Sequence, residues 1–371
     1  MTASPVSSFD ASTRLYQRLL LSLGFATGCS SVPNTGDCEP PPTAVVTVSR
    51  DPLLDTALDT ATPEVPLADC PTDYRDAINF VVRSGEPLPC EMGNDFHLQS
   101  QAEAECTYEY TCNVCCGYGR PFLDADGAPV KAEAASGPGW DGGPHRPRVV
   151  GLSPGERAEI GRYWLENARA EHSSVAGFHR FALDLLTHGA PPELIARAQR
   201  AAAQELVHAL DCFTLASAYL GHPVGPAPLG LGTHAPIAAS LAQLAAWTLR
   251  DGAIGETLAA HLAGRAMAGT SDPAVRAVLA NIVRDETEHA ELAWAALQWA
   301  LAVGGDEVRD AVRAVLAGLA EPTPHAGDWT PRHADHGVPS PVEEVQEAKA
   351  CIARVVLPLA SALLGGGRVA A

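Results

Sequence analysis

Residues 201–212 read AAAQELVHALDC, and residues 282–293 read IVRDETEHAELA. Each stretch sets a Glu and a His three apart, Glu205 with His208 and Glu286 with His289, so on a helix both side chains leave one face. Thirty-four positions before Glu205 stands Glu171, and thirty before Glu286 stands Glu256. The pattern reads as one unit duplicated, with a turn of different length. The neighbours tell which face these residues share. One and two turns around Glu286 lie Ile282, Val283, Ala290 and Ala293; around Glu205 lie Ala201, Ala202, Ala209 and Cys212. Glu256 has Gly252, Ala253, Ala260 and Ala263, and Glu171 has Trp164, Asn167, Ala168, Val175 and Phe178. These carboxylates sit on core stripes rather than on solvated faces.

Outward from these stretches the sequence predicts four long helices. Ser153-Pro154-Gly155-Glu156 combines an N-cap Ser, a Pro in the first turn and a capping-box Glu, and the helix it starts runs to about His188, before Gly189-Ala190-Pro191. A second starts at Pro191 or Pro192 and ends near Leu220. A third starts between Thr233 and Pro236 and fades at Gly269. The fourth is capped by Ser271 or Asp272 and stopped by Gly304-Gly305. Each spans about 45 Å. The first and last links are short, so each pair is a hairpin. The middle link, GHPVGPAPLGLGT, reaches about 43 Å when extended, the length of the helices. Further helices are expected at about 306–319 and 341–364.

Four buried carboxylates without counter-charge are costly, and a bound metal pair is the natural compensation. Two lone Glu and two Glu-x-x-His pairs are the ligand set of a di-iron or di-manganese carboxylate site. Carboxylate oxygens suit iron and can bridge two ions, and the imidazoles complete each sphere. Asp285 and Gln204, each one residue before a ligand Glu, are placed to hydrogen-bond the ligand His of the opposite helix: Asp285 to His208, Gln204 to His289. The alternative for Asp285 is a solvated surface acid. Glu288 and Glu291 fall off the stripe and are expected in solvent. His172 points away from Glu171. His179 and His261 are open between an extra ligand and a polar core residue. His325, His333 and His336 share a Pro/Gly loop with Trp329, read as an exposed loop or else a route for metal. Cys212 and Cys351 read as small buried hydrophobes.

The chain has 371 residues, 46% hydrophobic, and a formal charge of −19. That is enough apolar material for a sizeable core. The acidic balance, with lysine only at 131 and 349, argues against a nucleic-acid partner. Residues 1–29 read as an export signal: Arg14 and Arg18, an apolar run from Leu19 to Ala26, then Thr27-Gly28-Cys29. This end resembles the lipobox of bacterial lipoproteins, with Ala26 in place of the usual Leu and Cys29 as the lipidated residue. The alternatives are a plain cleaved signal or a retained N-terminus. Residues 30–68 are Pro-, Thr- and Asp-rich, a disordered tether. Residues 69–122 hold Cys70, Cys90, Cys106, Cys112, Cys115 and Cys116, a disulfide framework in an exported chain, or a metal site around Cys112–Cys116. Cys38 is the odd one. Residues 123–152 read as a linker, 153–304 as the metal-binding bundle, and 305–371 as C-terminal helices and the His-containing loop.

Over residues 153–303 the chain resembles the ferritin-like superfamily of di-iron carboxylate proteins, carried by Glu171, Glu205, His208, Glu256, Glu286 and His289. The resemblance implies an all-α, ferritin-like four-helix bundle with one long crossover, two iron ions (manganese or a mixed pair being the variants) and reaction with O2 or peroxide. It leaves the substrate open. The expected function is therefore an exported di-iron oxidoreductase: a ferroxidase, peroxide scavenger or small-substrate oxygenase. It would be anchored by lipid at the bacterial envelope, in the periplasm or at the outer membrane. The alternative is a non-catalytic iron-binding envelope lipoprotein with a disulfide-rich interaction module. Oligomeric state is open, a dimer included. No pair of CxxC motifs follows the bundle, as it would in a rubrerythrin.

Overall fold

The computed structural model describes residues 16–19, 119–124, 129–137, 139–231, 237–319 and 330–365, and the backbone of three strands at 43–49, 92–101 and 105–112. The chain divides into two compact units, Asn34–Cys115 with Gly318–Glu321, and the remainder. The first holds an antiparallel sheet of β1 (Thr43–Ser49), β2 (Met92–Gln101) and β3 (Glu105–Cys112), in the order β1-β3-β2. Val46 pairs with Tyr108, and Leu98 with Tyr108 from the other side. β1 corrects the reading of residues 30–68 as a structureless tether. Thr43-Ala44-Val45-Val46-Thr47-Val48-Ser49 is β-branched at most positions, a strand composition hidden by Pro-rich flanks. Cys106 and Cys112 lie in β3; the other cysteines of this region, and Cys29, are outside the described residues.

The second unit is mostly helical. α1 (Pro154–Thr187) opens with the expected capping box: Ser153 Oγ accepts from Glu156 N, and Glu156 Oε2 accepts from Ser153 N. α2 (Pro192–Leu220) ends at Gly221, whose φ of 82° is the left-handed turn that favours glycine. α3 (Leu241–Trp247), a π-helical segment at Thr248–Ile254 and α4 (Gly255–Gly269) form one continuous helix. α5 (Pro273–Val303) is capped by Asp272, which accepts from Ala274 N and Val275 N. α6 (Asp306–Ala317), α7 (Pro331–Asp335), α8 (Pro341–Cys351) and, after a second π segment, α9 (Leu357–Leu364) follow. Among the described residues no helix is long and apolar enough to cross a membrane.

The third helix starts later than expected. Its N-cap is Ser240, which accepts from Gln243 N at 3.1 Å while Gln243 Oε1 accepts from Ala239 N at 2.7 Å. The crossover is correspondingly longer, and it is not bare: β5 (Val224–Pro226) pairs with β4 (Ala134–Ser136). The stretch read as a linker is thus partly sheet, laid on the helices.

Among the described residues, two apolar clusters of the core bear on the four long helices. One joins Ile160, Trp164 and Ala168 of α1 to Phe213, Ala216 and Tyr219 of α2 and Val275, Val278 and Ile282 of α5. The other joins Phe178, Phe181 and Leu185 to Leu194, Ala198 and Ala202, to Leu244 of α3 and to Leu292 and Ala296. The order of these residues gives the helix directions. α1 and α5 run from the first cluster to the second, and α2 runs back. The α3–α4 helix also runs from the second, at Leu244, to the first, against which Ala263 and Met267 pack. The crossover therefore travels the length of the helices, as its extended reach allows. Each of the large buried side chains contributes about 1.5–3 kcal/mol by leaving water.

Candidate metal centre

Between the two clusters the four long helices turn polar. Glu171 of α1, Glu205 and His208 of α2, Glu256 of α4, and Glu286 and His289 of α5 form two groups. Glu171, Glu205, His208 and Glu286 offer ligand atoms within 4.8 Å of one another; so do Glu205, Glu256, Glu286 and His289. Glu205 and Glu286 belong to both. Five of the six residues are at most 2% exposed, whereas the Glu171 side chain is 17% exposed and marks the wetter edge.

The donor atoms face one another. His208 Nδ1 lies 3.3 Å from Glu286 Oε1, 3.7 Å from Glu205 Oε2 and 3.8 Å from Glu171 Oε2. His289 Nδ1 lies 3.0 Å from Glu205 Oε1, 3.6 Å from Glu286 Oε2 and 4.0 Å from Glu256 Oε2. Yet both Nδ1 atoms, both oxygens of Glu205 and of Glu256, and Glu286 Oε2 are buried without a hydrogen bond. Seven orphaned donors around a common space fit a metal pair: hard oxygens, one imidazole in each group, and two shared carboxylates able to bridge.

The far sides of the imidazoles are tied down. His208 Nε2 donates to Asp285 Oδ2 at 3.1 Å and His289 Nε2 to Gln204 Oε1 at 3.1 Å, which leaves each Nδ1 turned inward. Gln204 Nε2 donates to Asp285 Oδ1 at 3.1 Å, so one chain of hydrogen bonds joins the two histidines. Gln204 also donates to Glu288. Arg284 Nε donates to Asp285 Oδ1 at 2.8 Å. Asp285 is buried, not the solvated acid of the alternative reading.

Charge is shared unevenly. Burial, with Glu205 beside it, pushes Glu171 well above the usual carboxylate range, and burial with Glu286 beside it does the same to Glu256. Burial also presses Glu205 and Glu286 upward, but His208 and His289 outweigh it and hold both below. Burial pulls the imidazoles down; Asp285, Glu171, Glu205 and Glu286 overcome it at His208, lifting it well up, and Glu286 and Glu205 overcome it at His289, lifting it to about 9. Asp285 falls to about 2 because His208 and Arg284 outweigh its burial. Without metal, protons do the neutralising.

The other histidines are elsewhere. His179 is exposed and bonds Val175 O, and His261 bonds Glu347 of α8 at 3.0 Å; neither is a ligand. His172 meets Trp140 edge-on at 5.3 Å. His333 and His336 correct the exposed-loop reading. His333 bonds Glu159 at 2.9 Å, and His336 Nδ1 meets Tyr219 Oη at 2.7 Å while its carbonyl accepts from Trp164 Nε1. His325 and Trp329 are outside the described residues. Glu291 meets Arg18 at 2.6 Å rather than solvent alone. Cys212 and Cys351 are buried free thiols.

Three features lay outside the sequence reading. The π segment sits immediately before Glu256, and such turns recur at functional sites. Residues 119–123, read as the end of the cysteine module and the first residue of the linker, lie along α1. Phe122 N donates to Ser173 Oγ at 2.9 Å, Arg180 Nη1 donates to Leu123 O at 3.2 Å, and Arg120 is 1% exposed. The available signal was Gly177 and Gly252 within helical stretches: a Cβ at Gly177 would strike the Arg120 carbonyl, and one at Gly252 its guanidinium. Finally, an open groove of about 780 Å³ runs beside α1, lined by Phe122, Trp140, His172, Val175, Leu206 and Leu229.

Comparison with models of known protein families, with curated proteins and with solved structures finds no match to this chain.

Proposed function

We propose that this chain is a ferritin-like di-iron protein, its α1, α2, α3–α4 and α5 forming a four-helix bundle with one long crossover, and that it is an oxidoreductase acting on O2 or peroxide. One observation carries the reading: two ligand groups, each with one His, share Glu205 and Glu286. Glu171, Glu205, Glu286 and His208 would hold one ion, and Glu205, Glu256, Glu286 and His289 the other. A bound iron pair supplies the electrons for reducing the oxidant. The chain's own part is to hold and screen. Asp285 and Gln204 fix the rings, the two apolar clusters keep water out, and Glu171 stands where ions and small molecules arrive. The groove between Trp140 and Leu206 is the place for a small apolar substrate.

Export and lipidation at Cys29, with a disulfide-stapled Cys70–Cys116 region, complete the proposal. Cleavage before Cys29 would remove Arg18 and return Glu291 to solvent. The test is metal analysis and an absorption spectrum of protein from its native compartment, followed by oxygen-consumption and peroxide-decay assays and the mass of the mature N-terminus. About two irons per chain with oxidant turnover is the expected result. Protein that binds the pair and consumes neither oxidant is the iron-binding lipoprotein instead; protein that binds no pair refutes both.

A further inference from the structure

Arg120 stands outside the helices and outside the ligand set, yet it is buried beside them. Its Nε and Nη2 have no hydrogen-bond partner, and its Cζ lies 3.9 Å from the Phe181 ring centre and 5.4 Å from that of Phe178. The guanidinium rests against Gly252, one helical turn before Glu256, and Gly119 N donates to Gly255 O at 3.2 Å. Three acids, Glu256, Asp251 and Asp184, lie near enough to act on its charge, with Arg180 the neighbouring cation. Two of those acids are already matched: Arg180 lies 3.9 Å from Asp184 and 3.8 Å from Asp251, and Arg250 donates to Asp251 at 2.6 Å. The acid left beside Arg120 is Glu256, which belongs to only one of the two ligand groups.

A guanidinium stays protonated, and salt screens a buried charge poorly. On the metal-pair reading, on which this rests, we infer that Arg120 is a positioning residue: a resident cation that makes the two half-sites unequal, leaving the Glu256–His289 half weaker toward divalent ions than the Glu171–His208 half. The strap formed by residues 119–123 carries that charge into the centre, so a segment preceding the bundle in sequence belongs to the site.

Titration of the full chain with Co(II), followed by visible absorption and calorimetry, tests this. Wild type should bind in two resolved steps. Arg120→Met and Arg120→Gln should bring the steps closer by about tenfold, and Arg120→Lys should keep them apart. The order of filling is checked with Arg120 in place: His289→Ala should remove the weaker step and His208→Ala the tighter. Neutral variants with steps as far apart as in wild type, or with both steps weakened alike, overturn the inference alone. So does the reverse order of filling, which needs no Arg120 variant to fold. Wild type that binds no pair of Co(II) ions overturns the metal reading itself.

Discussion

Asp285 does for His208 what Gln204 does for His289, but with a charge, and a second bond from Arg284 makes that charge permanent. Asp285→Ala should lower affinity for the ion held by His208 by about 10–100-fold, and Gln204→Ala should act less strongly on the other; stepwise Co(II) or Mn(II) titration measures both. Protons and metal compete for the same atoms. With His208 lifted well up and His289 at about 9, both imidazoles carry protons near neutrality in the metal-free protein. Binding should therefore release protons, and apparent affinity should rise between about pH 6 and pH 9, measurable by calorimetry in buffers of different ionisation enthalpy. The sign for metal-free stability is opposite. His289 has a folded pKa above its unfolded one, so its contribution is complete below about 6.5 and lost as pH rises through about 9. The six candidate ligand positions were readable because Glu-x-x-His spacing on an apolar stripe is a rare, non-local coincidence. Arg120 was not, because a lone Arg between Gly119 and Pro121 carries no period that says what will cover it.

Helix starts were legible at Ser153 and Asp272, where a capping side chain is followed at once by a Pro in the first turn. The start of α3 was missed because prolines at 223, 226, 228 and 236 offered several stops while the deciding partner, Gln243, lies three residues past its cap. The π segment had no signal at all, since a wider turn needs no special residue type. Strand β1 was masked by its flanks. The glycines at 177 and 252 now have a stated reason, and that reason is testable. Gly252→Ala must push into the Arg120 guanidinium and Ala293, and Gly177→Ala into the Arg120 backbone. Each should destabilise by about 1–3 kcal/mol in denaturant unfolding, with Gly177→Ala the worse because a main chain cannot swing aside.

At the scale of the molecule, the cost of the centre should appear as a trade between stability and binding. Glu256 is fully buried with both oxygens orphaned, so Glu256→Gln should raise the melting temperature of metal-free protein and lower that of metal-loaded protein. Differential scanning calorimetry with and without Mn(II) reads both signs. The four acids interrupt the apolar packing halfway along α1, α2, the α3–α4 helix and α5, with Trp164 on one side and Phe181 on the other. Helices ordinarily fray from their tips inward. With no ion bound, this protein should loosen at the waist instead, with backbone amides near Glu205 and Glu286 exchanging with deuterium sooner than those one or two turns toward either end.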